Sequence, residues 1–103
     1  MERSARDRLT NVTLVVPSHV VYREFVSETV LLNINTGQYH GLNPIAGVML
    51  EAIDQTGSVQ HAVSRLAEQF GQPADRIEQD LTDLCEGLIG RGLLEVRDPV
   101  DDS

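Results

Sequence analysis

Lysine is absent from this chain of 103 residues, and its cationic side chains are eight arginines set against sixteen acidic residues. Binding to a nucleic-acid backbone draws its affinity from neutralising phosphates with Lys and Arg. A net charge of −8 and a pI near 4.6 leave little for that purpose. Four arginines, Arg3, Arg6, Arg8 and Arg23, fall in the first quarter of the sequence. The acidity serves solubility or the attraction of a basic partner, and composition does not choose between them.

Cysteine is nearly absent too. Cys85 stands alone, so no internal disulfide can form and no zinc cage can be built on paired thiolates. No apolar run approaches the ~18–20 residues of a membrane span, and the first residues lack the hydrophobic core of a signal peptide. The chain is therefore expected in the cytoplasm and off the membrane. There is no internal repeat, no low-complexity tract and no glycine-rich phosphate loop; Gly90 and Gly92 flank a helix end. His19, His40 and His61 lie in different elements without ligand-like spacing, so no metal site is expected. His40 is placed on the polar side of a hairpin beside Asn33, and His61 on a helix surface. Cys85 adjoins an apolar helix arc without a basic neighbour in sequence, the pattern of an inert buried thiol. Asp80 and Asp83 read as a solvated helix face before they read as an acid–base pair. No catalytic residue and no cofactor site is expected.

What is present is enough for one core. A hydrophobic content of 41% argues against disorder. A chain of this length buries roughly two thirds of its unfolded surface but does not build two cores. Residues 1–10 and 98–103 are polar or acidic and expected to be loose, leaving 11–97 as the domain. Val12–Val16 and Val20–Val26 are rich in β-branched residues and read as strand, broken at Pro17-Ser18, with Ser27-Glu28 turning into the next strand.

In the segment LLNINTGQYHGLNP (Leu31 to Pro44), Val30, Leu32 and Ile34 alternate with Leu31, Asn33 and Asn35. Thr36-Gly37 supplies a tight turn. A two-residue turn there pairs Asn35 with Gln38, Ile34 with Tyr39, Asn33 with His40 and Leu31 with Leu42. It puts Tyr39 on one greasy face with Val30, Leu32 and Ile34.

Helices follow. Asn43 is a good N-cap and Pro44 a good first residue for a helix to about Asp54, with Ile45, Val48, Met49, Ala52 and Ile53 on one stripe and Gly57 at its end. Ser58 caps a second helix that buries Val59, Ala62, Val63, Leu66, Ala67 and Phe70 and closes at Gly71. A third runs from Pro73 to about Arg91, with Ile77, Leu81, Leu84 and Leu88 in a narrow arc and Gly92 as its stop. Leu93, Leu94 and Val96 form an apolar tail that packs back on the core. Strands first and helices after give an α+β domain with a meandering three-stranded antiparallel sheet.

The run VLLNINTGQYHGLNPIAGVMLEAI, the capped helix ending LAEQFG, and DRIEQDLTDLCEGLIGRGLLE resemble the PqqD-like family, over roughly residues 19 to 96. Its members are the peptide-recognition domains of pathways for ribosomally made, post-translationally modified peptides. The shared features are the strand-turn-strand with Gly37 and Tyr39, Leu42-Asn43 before the first helix, and the closing Gly92-Leu93-Leu94. The freestanding length fits the lasso-peptide branch, whose leader-binding half pairs with a cysteine protease. The pyrroloquinoline quinone branch is also freestanding, but its hairpin usually lacks the NxxTGxYxGLN character.

The resemblance implies a winged helix-turn-helix-like domain that binds a precursor's leader peptide and presents it to a leader peptidase or modifying enzyme. The leader is implied to add as a strand to the Gln38–Leu42 strand, in the groove beside the third helix. An open edge supplies unpaired N–H and C=O groups for that purpose. The expected contacts are Gln38, Tyr39, His40 and Gly41 on the strand, with Ile34, Tyr39, Leu84 and Leu88 lining an apolar pocket. Leu42 joins them only if alternation breaks at the strand end. Asp80 and Asp83 on one helix flank would meet Lys or Arg of the leader, and Gly87 on that flank would let its backbone come close. Glu86 points away. The opposite flank (Glu78, Cys85, Ile89) remains open as the groove side, and Ile34, Tyr39, Leu84 and Leu88 read equally as plain core. Arg76, one turn before Asp80, could neutralise it.

The other two functions this topology admits are a winged-helix DNA-binding regulator and a non-catalytic enzyme subunit. The acidic third helix (Asp75, Glu78, Asp80, Asp83, Glu86) is a poor surface for the major groove. A monomer or a weak homodimer paired through the open edge is expected.

Overall fold

The computed structural model describes Leu9 and residues 11–97. Its elements are β1 (Thr13–Val15), β2 (Val20–Glu24), β3 (Thr29–Asn33), β4 (Gln38–Leu42), α1 (Pro44–Thr56), α2 (Val59–Phe70), α3 (Ala74–Gly90) and β5 (Glu95–Arg97). β2, β3 and β4 form the antiparallel meander, and three helices follow it, an α+β fold compatible with the winged helix-turn-helix expectation. β1 does not extend the meander. It pairs with β5 in a two-stranded sheet of its own, with Leu14 opposite Val96. That pairing ties the two ends of the domain together and leaves both edges of the meander unpaired among the described residues. The loose ends expected at 1–10 and 98–103 fall outside the described residues except for Leu9, which is buried in the core.

The helix boundaries follow from capping chemistry. The Asn43 side chain accepts from Ala46 N at 2.8 Å, and Pro44 opens α1 where its missing N–H costs nothing. Gly57 ends it at φ 69°, a left-handed position that a side chain would strain, and its N–H donates to Ile53 O at 2.7 Å. Ser58 Oγ accepts from His61 N at 3.3 Å and starts α2. α3 begins after Pro73 without a side-chain cap. Thr82, fully buried in α3, satisfies its hydroxyl by donating to Glu78 O at 2.9 Å.

The core lies between the helices and one face of the meander. Leu31 of β3 is wholly buried and joins Leu50, Ile53, Leu66, Leu81 and Leu88. α1 comes so close to β3 that a Cβ on Gly47 would sit 2.9 Å from Thr29 Cβ and collide with Thr29 Oγ1. Tyr22 on β2 donates its hydroxyl to Asp54 on α1 at 2.6 Å, a second tie between sheet and helices. Burial, and then the Asp54 carboxylate beside it, push the Tyr22 hydroxyl above the ordinary phenol range. His19 Nε2–H donates to Gly92 O at 3.2 Å, linking the start of β2 to the turn after α3.

The hairpin differs from its expected register. Asn33 pairs with Gln38, Leu32 with Tyr39 and Leu31 with His40, so the loop is Ile34–Gly37 and not a two-residue turn. Asn33 is the cause. Its Oδ1 accepts from Asn35 N at 2.9 Å and Thr36 N at 3.2 Å, and its carbonyl accepts from Gly37 N at 2.7 Å. Those bonds curl the chain away from β3 one residue after Asn33, and Gly37 at φ 76° closes the loop. A slip of two residues keeps every side chain on its face. Which face is inward is a separate question, and there the structure reverses the expectation. Thr29, Leu31 and Asn33 are buried, and Val30, Leu32, Ile34 and Tyr39 face away from the helices.

Candidate functional site

β4 is an edge strand with β3 on one side, and its other side is unpaired among the described residues. Its residues alternate across the sheet. Gln38, His40 and Leu42 share the helix-facing side with Asn33, Leu31 and Thr29, and Tyr39 and Gly41 share the outer side with Leu32 and Val30. Tyr39 is 70% exposed and Ile34 56% exposed, so neither belongs to an inner pocket. His40 is half-buried on the inner side, opposite Leu31, and not on a solvated face. Leu42 is buried there by unbroken alternation, against Thr29.

Three residues beyond Leu42 the chain enters a cleft of about 450 Å³. Ile45 and Met49 of α1, Phe70 at the end of α2 and Ile77 of α3 give it apolar walls, and Gln72, Arg76 and Asp80 add polar groups. Ile45 is more than half exposed although it was expected on the inner stripe of α1; it lies in the first turn, beyond the end of the sheet. Met49, one turn later, is buried. The cleft joins the start of α1 to the first half of α3.

The buried arc of α3 is Ile77, Leu81, Thr82, Cys85 and Leu88. It is rotated toward Cys85 relative to the expected arc, which leaves Leu84 half-buried at its margin. Leu88 is 1% exposed and is core, out of reach of any ligand, a correction to its expected place in the pocket. Asp80, Asp83 and Gly87 lie exposed on the flank next to Leu84, and nothing stands within 4 Å of where a Gly87 Cβ would be. Gln79 Nε2 donates to Asp83 Oδ1 at 3.1 Å. No ion pair joins Arg76 to Asp80 among the described residues. The opposite flank carries the buried Cys85, whose thiol is pushed up to about 12 by burial and then by the charge of Glu86. Glu78 and Ile89 beside Cys85 are half-buried, so the Asp80–Leu84–Gly87 flank is the more exposed of the two.

Of the expected site residues, the fold thus brings Gln38, Tyr39, His40 and Gly41 to one open edge, and Asp80, Asp83, Leu84 and Gly87 to one open helix flank. Ile34 stands apart on the hairpin loop, and Leu42 and Leu88 are inside. The cleft residues Ile45, Met49, Phe70, Gln72, Arg76 and Ile77 were not expected as a group. Phe70, the last residue before a helix-ending glycine, was the available signal. The described residues hold no cluster of three His, Cys, Asp or Glu able to bind a metal, and none of their helices is long and apolar enough to cross a membrane.

Residues 28–94 match the family model described as coenzyme PQQ synthesis protein D (PqqD). Among solved structures, the chain is similar to TbiB1 in complex with the TbiA(beta) leader peptide. The TM-score is 0.70 at 25% identity, over 78% of this chain and 93% of that one. It is also similar in fold to a lasso peptide synthetase B1 complexed with the leader peptide, with a TM-score of 0.71 at 18% identity, over 81% of this chain and 98% of that one. No curated protein matches it.

Proposed function

This chain belongs to the PqqD family, and from that premise we propose that it is a non-catalytic adaptor that binds the leader region of a ribosomally made precursor peptide. It presents that peptide to a leader peptidase or modifying enzyme, in a pathway of the lasso-peptide type. The observation that carries the reading is the unpaired edge of β4 leading directly into the apolar cleft at Ile45 and Ile77. The leader of TbiA(beta) is bound by a protein of closely similar fold, which supports the same ligand class here.

The mechanism is strand addition. Free N–H and C=O groups of Gln38–Leu42 pair with the leader backbone and give affinity with little sequence demand. Selection comes from side chains. One or two apolar residues of the leader enter the cleft against Ile45, Met49 and Phe70, while Asp80 and Asp83 on the α3 flank meet basic residues. Gly87 lets the peptide backbone lie close to α3. Gln38 and His40 border the peptide on the inner side of the edge, Tyr39 and Gly41 on the outer.

Calorimetric titration with the leader segment of the precursor encoded beside this chain tests the reading. The expected result is saturable one-to-one binding at micromolar Kd, about −8 kcal/mol, with a negative heat-capacity change. A proline within the leader's pairing segment, which removes a backbone donor, weakens it by about tenfold or more. Absence of binding at millimolar peptide would contradict the proposal.

A further inference from the structure

Glu28 ends the turn between β2 and β3, where Phe25 N donates to its carbonyl at 2.7 Å. The next residue, Thr29, is buried on the helix side, so the Glu28 side chain emerges on the outer side. From there it reaches across to the neighbouring strand. Its Oε1 lies 2.9 Å from where a Cβ of Gly41 would be, which puts the carboxylate over β4 at the one position of that strand's outer face without a side chain. Gly41 lies within β4 and has no positive φ, so no turn requires a glycine there. The space above it is what the missing side chain provides, and the Glu28 carboxylate occupies part of it.

Beyond Gly41 lies the open edge. A strand added there places the residue opposite Gly41 on the same outer side, with its Cβ about 5 Å from the Gly41 position. The carboxylate is then within reach of the long side chain of a Lys or Arg at that point and too far for a short one. Arg23, also on the outer side and opposite Val30 across β3, forms no ion pair with Glu28 among the described residues. The exposed Tyr39, two residues before Gly41 on the same side, offers an aromatic face to the stem or charge of such a side chain.

We propose that Glu28 and Gly41 form a subsite on the outer face of β4 for a Lys or Arg side chain of the added peptide strand. This rests on the strand-addition reading and specifies the peptide it selects: one with a basic residue opposite Gly41, on the side facing away from the helices. The subsite differs from the acidic flank of α3, which lies on the helix side of the sheet.

The test is fluorescence anisotropy with the labelled leader segment of the neighbouring precursor, and with versions in which each Lys or Arg is replaced in turn by Gln. Glu28→Gln, isosteric and exposed, is expected to keep the melting temperature and to weaken binding about fivefold. One Lys→Gln or Arg→Gln peptide weakens binding to the wild-type chain by the same factor and loses nothing further against Glu28→Gln. Glu28→Lys costs about tenfold or more with the native peptide and recovers when that one residue becomes Glu. Wild-type binding with Glu28→Gln indistinguishable from it, or weakening without coupling to any one basic residue, would overturn the subsite and leave strand addition standing. No binding by the wild-type chain would overturn both.

Discussion

The two faces of the β2–β3–β4 sheet carry similar amounts of apolar side chain and have opposite fates. On the inner face Val20, Leu31 and Leu42 are sealed under the helices, together with Thr29 and Asn33. On the outer face Val21, Phe25 and Tyr39 stand about half exposed or more, around a shallow depression floored by Val30 and Leu32. Hydrophobicity alone therefore does not decide which face of a short strand turns inward. The inner face is chosen by what α1 can approach: Gly47 against Thr29, Asp54 against the Tyr22 hydroxyl, and the Asn33 amide committed to its own loop.

The largest test of that contrast is a pair of truncations in neighbouring residues of β3. Leu31→Ala is expected to cost about 2–5 kcal/mol in denaturant unfolding, the range for a buried leucine leaving a cavity. Leu32→Ala is expected to cost less, about 1–2 kcal/mol, since that side chain is only partly covered on the outer face. Equal costs would mean that both faces are packed. Gly47→Ala comes next. A Cβ there must push α1 off Thr29, at about 1–3 kcal/mol. Gly87→Ala meets open space and is expected to stabilise α3 by about 0.5–1 kcal/mol while weakening peptide binding at the same flank. Asn33→Ala leaves the loop N–H groups of Asn35 and Thr36 without their acceptor and costs about 1 kcal/mol.

The last effect is a pH dependence that is absent at neutral pH and appears only in strongly alkaline solution. The Cys85 thiol ordinarily titrates near 9.0 and is held neutral by burial up to about 12. Folding favours its neutral form, so the associated stability is complete below pH 9.0 and disappears as the pH rises through about 12. Alkylation of the native chain at pH 8 by iodoacetamide is expected to be negligible and to become rapid in denaturant.

Much of this architecture was legible in the sequence, for reasons that can be named. Asn43-Pro44, Gly57, Ser58, Gly71 and Gly92 mark helix boundaries through local backbone chemistry, and local chemistry survives folding unchanged. The β4 edge was also within reach, because it follows from strand order, whereas helical period grouped Asp80, Asp83 and Gly87 on one flank of α3 without choosing between that flank and the opposite one. The facing of the hairpin was not. Val30, Leu32, Ile34 and Tyr39 look more apolar than Thr29, Leu31 and Asn33, and only the approach of α1 to Thr29 tells which set is covered. The rotation of the α3 arc toward Cys85 has the same origin, since α2 and not the wheel decides which leucine is central. The pairing of β1 with β5 joins residues eighty or more apart and leaves no local signal.

The central claim is that the peptide joins β4 and not the other unpaired edge, β2. Backbone hydrogen exchange with and without the neighbouring precursor's leader segment addresses it directly. The expected result is slowed exchange at alternate amides of Gln38–Leu42 and at the α3 flank, with β2 unchanged. Saturable binding with protection confined to Val20–Glu24, or with no protected strand at all, would contradict it.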